Sequence, residues 1–225
     1  MDEDTLLQTL GDAMSRYDTG VRTLSLHEVD GGSSLGRFAA SSRDDLNEPP
    51  STAVLKSLMN ERGLYQRPSR NTAAPRLVEL RTTHEGQSSD DPPIQLVDES
   101  DGTRRLLNLS PVLLARRAGQ CVLIDELDRS LHAAAAQQFV REFLAARPDD
   151  QLLFTTHDTT LLDMPELPPA CVWFVEKDAS GCSSLHSLAE VKPEQLARFG
   201  GRFAAGYLQG RFGGVPHLRP IASGE

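Results

Sequence analysis

Three things are scarce in this chain. Aromatic residues make up 5% of it, with a single tryptophan, so any aromatic cluster must be local. No apolar run approaches the roughly 18 residues that a membrane-crossing helix needs, which argues against a spanning segment. Cysteine occurs three times, at Cys121, Cys171 and Cys182. That is an odd number without metal-type spacing, so a disulfide framework or zinc knuckle is excluded and reduced thiols in the cytoplasm are expected. Met1-Asp2-Glu3-Asp4 is acidic where a secretory signal is basic and then apolar, which points the same way. A basic excess is also missing: 23 basic against 32 acidic residues leave a net charge of −9. A general nucleic-acid coat is disfavoured, and only a local basic patch stays open. What remains is a polar globular chain of 225 residues, 39% hydrophobic and 24% charged, with a mean hydropathy of −0.35. A compact fold of that size buries about 70% of the surface its unfolded chain exposes, enough to hold without disulfide or metal.

The N-terminal segment, residues 1–97, alternates short elements with polar loops. Leu6, Leu7, Leu10, Met14 and Tyr17 give a weak helical period that Tyr17-Asp18-Thr19-Gly20 breaks. Residues 21–29 alternate as a strand. Residues 30–53 are rich in Gly, Ser, Asp and Pro and read as a loop. A short helix is expected over 54–65, a second loop after it, strands over 76–81 and 94–97, and a polar loop over 83–93. No internal repeat is present.

From residue 98 to 225 the texture changes. Residues 103–117 read as a helix that Pro111 turns or kinks and Gly119 caps. Cys121-Val122-Leu123-Ile124 is a continuous apolar run, expected as a central strand buried on both faces, with Cys121 as filler. Residues 132–146 form a helix with Ala136, Phe139, Val140, Phe143 and Leu144 on one side. Leu152-Leu153-Phe154-Thr155 and Val172-Trp173-Phe174-Val175 read as second and third buried strands, with Trp173 in the core. Strands alternating with crossovers predict an α/β fold with a parallel sheet.

The chemistry gathers where these strands end. Four apolar residues lead into Asp125-Glu126, the arrangement of a Walker B strand. An aspartate at a strand's carboxyl end can hold Mg²⁺ beside nucleotide phosphates, and the adjacent glutamate can orient or deprotonate a water. The same six residues would also serve as a core strand entering a polar turn. The next strand ends in Thr155-Thr156-His157-Asp158, which places His157 within reach of a phosphate in the same crevice. Upstream, Glu99-Ser100-Asp101-Gly102-Thr103 opens a helix. Its hydroxyls and free N–H groups suit an anion, or an ordinary helix cap. His27, His84, His186 and His217 lack ligand spacing, and Arg104 and Arg105 fit either a phosphate contact or a solvated helix face.

Taken in order, Glu99-Ser100-Asp101-Gly102-Thr103-Arg104-Arg105-Leu106-Leu107-Asn108-Leu109, Leu123-Ile124-Asp125-Glu126-Leu127-Asp128-Arg129-Ser130-Leu131-His132 and Phe154-Thr155-Thr156-His157-Asp158 resemble the C-terminal half of ABC-type AAA ATPases, relatives of SMC-like and OLD-like proteins. Val172-Trp173-Phe174-Val175-Glu176-Lys177-Asp178, Gly206-Tyr207-Leu208-Gln209-Gly210-Arg211-Phe212-Gly213 and Tyr17-Asp18-Thr19-Gly20 resemble further segments of that family. The resemblance is specific over about 98–216. It implies a P-loop NTPase-like head, a parallel sheet with flanking helices, that uses ATP and Mg²⁺. Asp125 would be the Mg²⁺ ligand, Glu126 the carboxylate that positions the hydrolytic water, and His157 the switch histidine on the γ-phosphate. Asp128 would belong to the D-loop that couples two sites across a dimer. Ser100, Gly102 and Thr103 would form the signature that meets ATP on an opposing lobe. The family's usual company implies a homodimer or a P-loop-bearing partner, nucleic acid or an effector nuclease, and phage defence. One departure is Ala133-Ala134-Ala135-Ala136, where the family has Pro after His132.

A Walker A run, G-x-x-x-x-G-K-[ST], is absent from the chain. Gly31-Gly32-Ser33-Ser34-Leu35-Gly36-Arg37 has glycines five positions apart, but Arg in place of Lys and no following hydroxyl, so it reads as a loop. The resemblance therefore implies a head lacking its N-terminal P-loop portion. A truncated product, one half of a split ATPase, and a protein that keeps its signature for use in trans all fit. Apolar positions along 106–114, 122–124 and 152–154 are then expected to lack neighbours within the chain.

Overall fold

The computed structural model describes residues 2–28, 64–67, 76–88, 90–114 and 119–215. The glycine-containing stretch 31–37, the loops at 30–53 and 68–75, most of the helix expected at 54–65, and the helix end expected at 115–117 lie outside them. The chain forms two compact units. One takes in Met1–Val122, Arg129–His132 and Glu142–Leu152; the other takes in Leu123–Asp128, Ala133–Arg141 and Leu153–Glu225.

In the first unit, α1 (Glu3–Ser15) starts where the Asp2 carboxylate accepts from the Thr5 N–H at 2.8 Å, with Glu3 and Asp4 at its positive end. Its Leu6, Leu7, Leu10 and Met14 are buried at helical spacing. The Tyr17-Asp18-Thr19-Gly20 break is a corner held by Thr19, whose hydroxyl donates to the Met14 carbonyl and accepts from Val21 N–H. The chain then enters an antiparallel sheet of β1 (Val21–Glu28), β2 (Leu64–Arg67), β3 (Arg76–His84) and β4 (Ile94–Gln95), with β3 between β1 and β2 and also paired with β4. Leu64 and Tyr65, expected in a helix, pair instead with Glu79 and Val78. A strand with open ladder groups outweighs local helix preference. Val21, Leu24, Val78, Leu80 and Leu96 complete the core with Leu106 and Leu107 of α2 (Asp101–Leu114). Leu106, Leu107 and Leu109, expected to lack neighbours, are thus buried.

Pro111 lies inside α2 rather than at its edge. Its missing N–H orphans the Leu107 carbonyl four residues back, and the Ser110 hydroxyl donates to that carbonyl at 2.7 Å. The helix runs on because the acceptor is satisfied. In the same unit, Asp150 accepts from the Gln120 N–H at 2.8 Å and pairs with Arg147, both side chains being almost wholly buried. The Gln120 hydrogen bond, then Arg147, hold the Asp150 carboxyl below its ordinary range against the opposing effect of burial.

β5 (Cys121–Ile124), α3 (Ala133–Ala146) and β6 (Gln151–Phe154) make a β-α-β turn of chain. Gln151 N–H donates to Gln120 O and Thr155 N–H to Ile124 O. The partner advances by four along both strands, so they are parallel. Ala136, Phe139, Val140 and Phe143 form the buried stripe of α3. Burial of β5 and β6 on both faces is not what the structure has. Cys121 is exposed, and Leu123 and Leu153 are 71% and 57% exposed, while Ile124 is buried. Among the described residues β5 and β6 pair only with each other, and Leu123 and Leu153 stay exposed on this two-stranded sheet.

The second unit closes with a hairpin of β7 (Trp173–Lys177) and β8 (Ser183–Ser187). The third strand of a parallel sheet is therefore corrected to an antiparallel pair. Asp178 reverses the chain at once, accepting from Ser180 N–H and Oγ and from Cys182 N–H. Alternation puts Phe174 inside and leaves Trp173 54% exposed, so Trp173 is not core. Short helices α4 (Pro193–Ala197) and α5 (Phe203–Leu208) bring Phe199, Phe203, Tyr207 and Phe212 onto Phe174. Five of the chain's twelve aromatic rings thus meet in one cluster, Phe174 stacking on Tyr207 at 5.3 Å. Glu176 accepts from Gly214 N–H and His186 bonds the Phe212 carbonyl, so the tail is tied to the hairpin. Among the described residues no helix is long and apolar enough to cross a membrane.

Two outcomes follow from this packing. A Cβ at Gly206 would lie 2.5 Å from the Phe212 ring, so Gly206→Ala should lower unfolding free energy by about 1–3 kcal/mol. An unchanged denaturant midpoint would contradict it. Asp150 has a lowered carboxyl pKa, so its stabilisation is present above the ordinary value of 3.8 and fades as pH falls through the folded value. Asp150→Asn should therefore flatten the acid limb of a stability–pH curve, and a curve of unchanged shape would count against this.

Candidate functional site

In the second unit the strand tips of β5 and β6 interlock. The Thr155 N–H donates to the Ile124 carbonyl at 3.0 Å, as in a regular parallel ladder. The Thr155 carbonyl then accepts from Leu127 N–H at 2.9 Å, passing over Glu126. The Glu126 N–H instead donates to Thr155 Oγ1 at 2.8 Å, and that hydroxyl donates to Asp125 Oδ1 at 2.5 Å. One threonine thus holds both residues of the carboxylate pair.

Thr156 repeats the arrangement one residue on. Its hydroxyl donates to Asp128 Oδ1 at 2.7 Å and accepts from Asp158 N–H at 3.0 Å. The same Asp128 oxygen accepts from His157 N–H at 3.2 Å. Asp158 in turn caps a short 3₁₀ turn, Thr159–Asp163, by accepting from Thr160. Asp125, Glu126 and His157 are exposed, Asp128 is partly buried, and Leu127 beneath them is fully buried. The structure therefore gathers Asp125, Glu126, Asp128 and His157 at one tip, with a buried leucine as anchor.

Glu126 sits at φ 49° and Ser130 at φ 60°, both left-handed for residues with a Cβ. Such a conformation costs about 1–3 kcal/mol and persists only where surroundings over-determine it. Here the ladder passes over Glu126, one extra residue on this side of the pairing, as at a bulge.

Ser100, Gly102 and Thr103 lie in the first unit, at the start of α2. Ser100 Oγ accepts from Thr103 N–H at 3.1 Å and bonds Thr103 Oγ1 at 2.9 Å, a capping geometry. Thr103 is buried, while Ser100 is exposed. A Cβ at Gly102 would lie 3.0 Å from the Ser130 carbonyl, a tight contact that favours a glycine at this helix start. Just before it, Glu99 is buried and accepts from the Thr82 hydroxyl and bonds His84 Nε2 at 2.7 Å. Strand β3 thereby fixes where the turn begins.

Thr155, Thr156, Ser130 and Glu99 are the residues that sequence reading did not single out. The doubled threonine at the end of an apolar strand was the available signal for the first two. Nothing in the sequence ties Ser130 to Gly102 or Glu99 to β3, because those contacts are long-range. Asp125 and Glu126 are exposed carboxylates on consecutive residues, oxygen donors of the kind Mg²⁺ takes largely through water, and among the described residues no group of three or more His, Cys, Asp or Glu is placed to hold a metal.

The left-handed backbone at residue 126 gives a test. Glu126→Gly should be more stable to denaturant than Glu126→Ala by about 1 kcal/mol, since both lose the carboxylate and only glycine relieves the positive φ. Equal stabilities would mean that residue 126 does not hold this conformation.

A search of curated proteins finds no match for the chain. A family model described as "AAA domain, putative AbiEii toxin, Type IV TA system" matches residues 5–163. That span includes the helix start at Ser100, the Asp125–Asp128 tip and His157, and covers well over half of the sequence. The chain therefore belongs to this family of AAA domains, P-loop NTPase-like in fold and nucleotide-binding ATPase in functional type.

Proposed function

We propose that the chain supplies the hydrolytic edge of an ABC-type ATPase head, active when completed by a Walker A segment on the same polypeptide or on a partner. The observation that carries this reading is the strand-tip cluster, in which Thr155 and Thr156 hold Asp125, Glu126, Asp128 and the His157 backbone together. AAA-family domains generally bind ATP with Mg²⁺. Asp125 would hold the cation, which when bound neutralises phosphate charge. Glu126 would orient the attacking water and accept its proton. His157 would contact the γ-phosphate from the neighbouring strand tip. Ser100 and Gly102 would present the α2 start to a nucleotide held by an opposing head, with Thr103 behind them, and Asp128 would pass the state of one site to the other.

Completion is supported by two observations. The sequence has no G-x-x-x-x-G-K-[ST] run to cradle the β and γ phosphates. The parallel β5–β6 pair leaves Leu123 and Leu153 exposed on its outer face, and parallel sheets are normally covered on both. The finer assignments, an SMC-like or OLD-like subtype and residues 98–225 as the head-bearing part, rest on the order of motifs, and a role in phage defence beside an effector rests only on the usual company of the family that the chain resembles. A second reading takes its support from the missing Walker A: a scaffold that offers Ser100 and Gly102 to a partner's nucleotide without turnover of its own.

Glu126→Gln in the completed head should lower ATP turnover by about 100-fold or more while leaving nucleotide binding in place. Unchanged turnover would sink the enzyme reading in favour of the scaffold. The 225-residue chain alone should bind MgATP weakly, and tight binding by calorimetry would remove the need for completion.

A further inference from the structure

We infer that Thr155 is a positioning residue for Glu126 and Asp125, an inference that rests on the reading of those two as the hydrolytic pair. Skipping Glu126 in the β5–β6 ladder leaves its N–H without the strand partner it would otherwise have. The Thr155 hydroxyl is the group that takes it, at 2.8 Å. That hydroxyl has one proton, and it points to Asp125 Oδ1 at 2.5 Å. Donor and acceptor capacities therefore match the two jobs: the lone pair keeps Glu126 in its left-handed conformation, and the proton sets the rotation of the Asp125 carboxylate. The backbone of the same residue bonds Ile124 O and Leu127 N–H, so the hydroxyl is anchored on both sides by the main chain.

Serine could fill both roles, and valine, equal to threonine in shape, could fill neither. Valine would remove the acceptor that the Glu126 N–H has on the neighbouring strand and loosen the backbone at residue 126. The Asp125 carboxylate would lose the Thr155 hydroxyl at its Oδ1. Glu126 and Asp125 would both remain in place chemically and lose their orientation.

The test uses the full chain with Thr155→Val and Thr155→Ser, read by amide hydrogen exchange at Glu126, and the completed head read by steady-state ATPase kinetics. Thr155→Val should speed Glu126 exchange by about tenfold and lower kcat by about tenfold, with KM for MgATP nearly unchanged. Thr155→Ser should restore both. Wild-type exchange at Glu126 in Thr155→Val would overturn the inference, as would a serine variant as impaired as the valine one. If Thr155→Val does not fold, Thr155→Ala read by the same exchange decides the matter in the same way. Glu126→Gln separates the two levels. If it leaves turnover intact while Thr155→Val still speeds Glu126 exchange, the hydrolytic reading falls and the hold of Thr155 on the loop stands.

Discussion

The parallel pairing of β5 with β6 and its interruption at Glu126 are what the candidate site depends on. Up to Ile124 the ladder is regular, and Thr155 N–H closes it. One residue later the register skips, and a side-chain hydroxyl replaces a backbone acceptor. A regular strand would send Asp125 and Glu126 to opposite faces, because side chains alternate along a strand. The skip falls at the residue whose carboxylate the proposed chemistry needs. The strain at φ 49° is held by the hydrogen bonds around it, above a fully buried Leu127.

The two units solve the problem of a small apolar content differently. The first builds a conventional core, α1 and α2 leucines against one face of an antiparallel sheet. The second concentrates rings: Phe174, Phe199, Phe203, Tyr207 and Phe212 fill the space that a larger set of aliphatics would otherwise occupy. Its hairpin pays for that inner face with an exposed outer one carrying Trp173, Val175 and Leu185. Two polar groups that enter the interior of the first unit come with partners. Glu99 has Thr82 and His84, and the Leu107 carbonyl freed by Pro111 has Ser110. In each case an unsatisfied buried group would destabilise more than the hydrogen bond contributes.

Much of the site was legible from order along the chain. Four apolar residues before Asp125-Glu126, and a second apolar strand before His157, locate the chemistry because strand ends in a β-α-β unit come together. Pairing of 124 with 155 could be anticipated in kind. What could not be anticipated was that Thr155 and Thr156 are the groups that join the tips, since a threonine at a strand end is ordinary for its propensity alone. The buried third strand was misread for a related reason: Val172-Trp173-Phe174-Val175 is apolar throughout, and the Asp178 turn that makes it half of a hairpin acts only after the run has ended.

The sequence by itself determined most of the element types and set the carboxylate pair Asp125-Glu126 directly after an apolar strand, because these follow from local periodicity and residue order. Its lack of a Walker A run also stands without any structure. Tertiary structure alone decided which residues are covered, that the Ser130 carbonyl lies tight against Gly102, and that the ladder skips Glu126. Those depend on which groups meet across 28 or 29 positions of chain, and composition and spacing carry no record of such meetings.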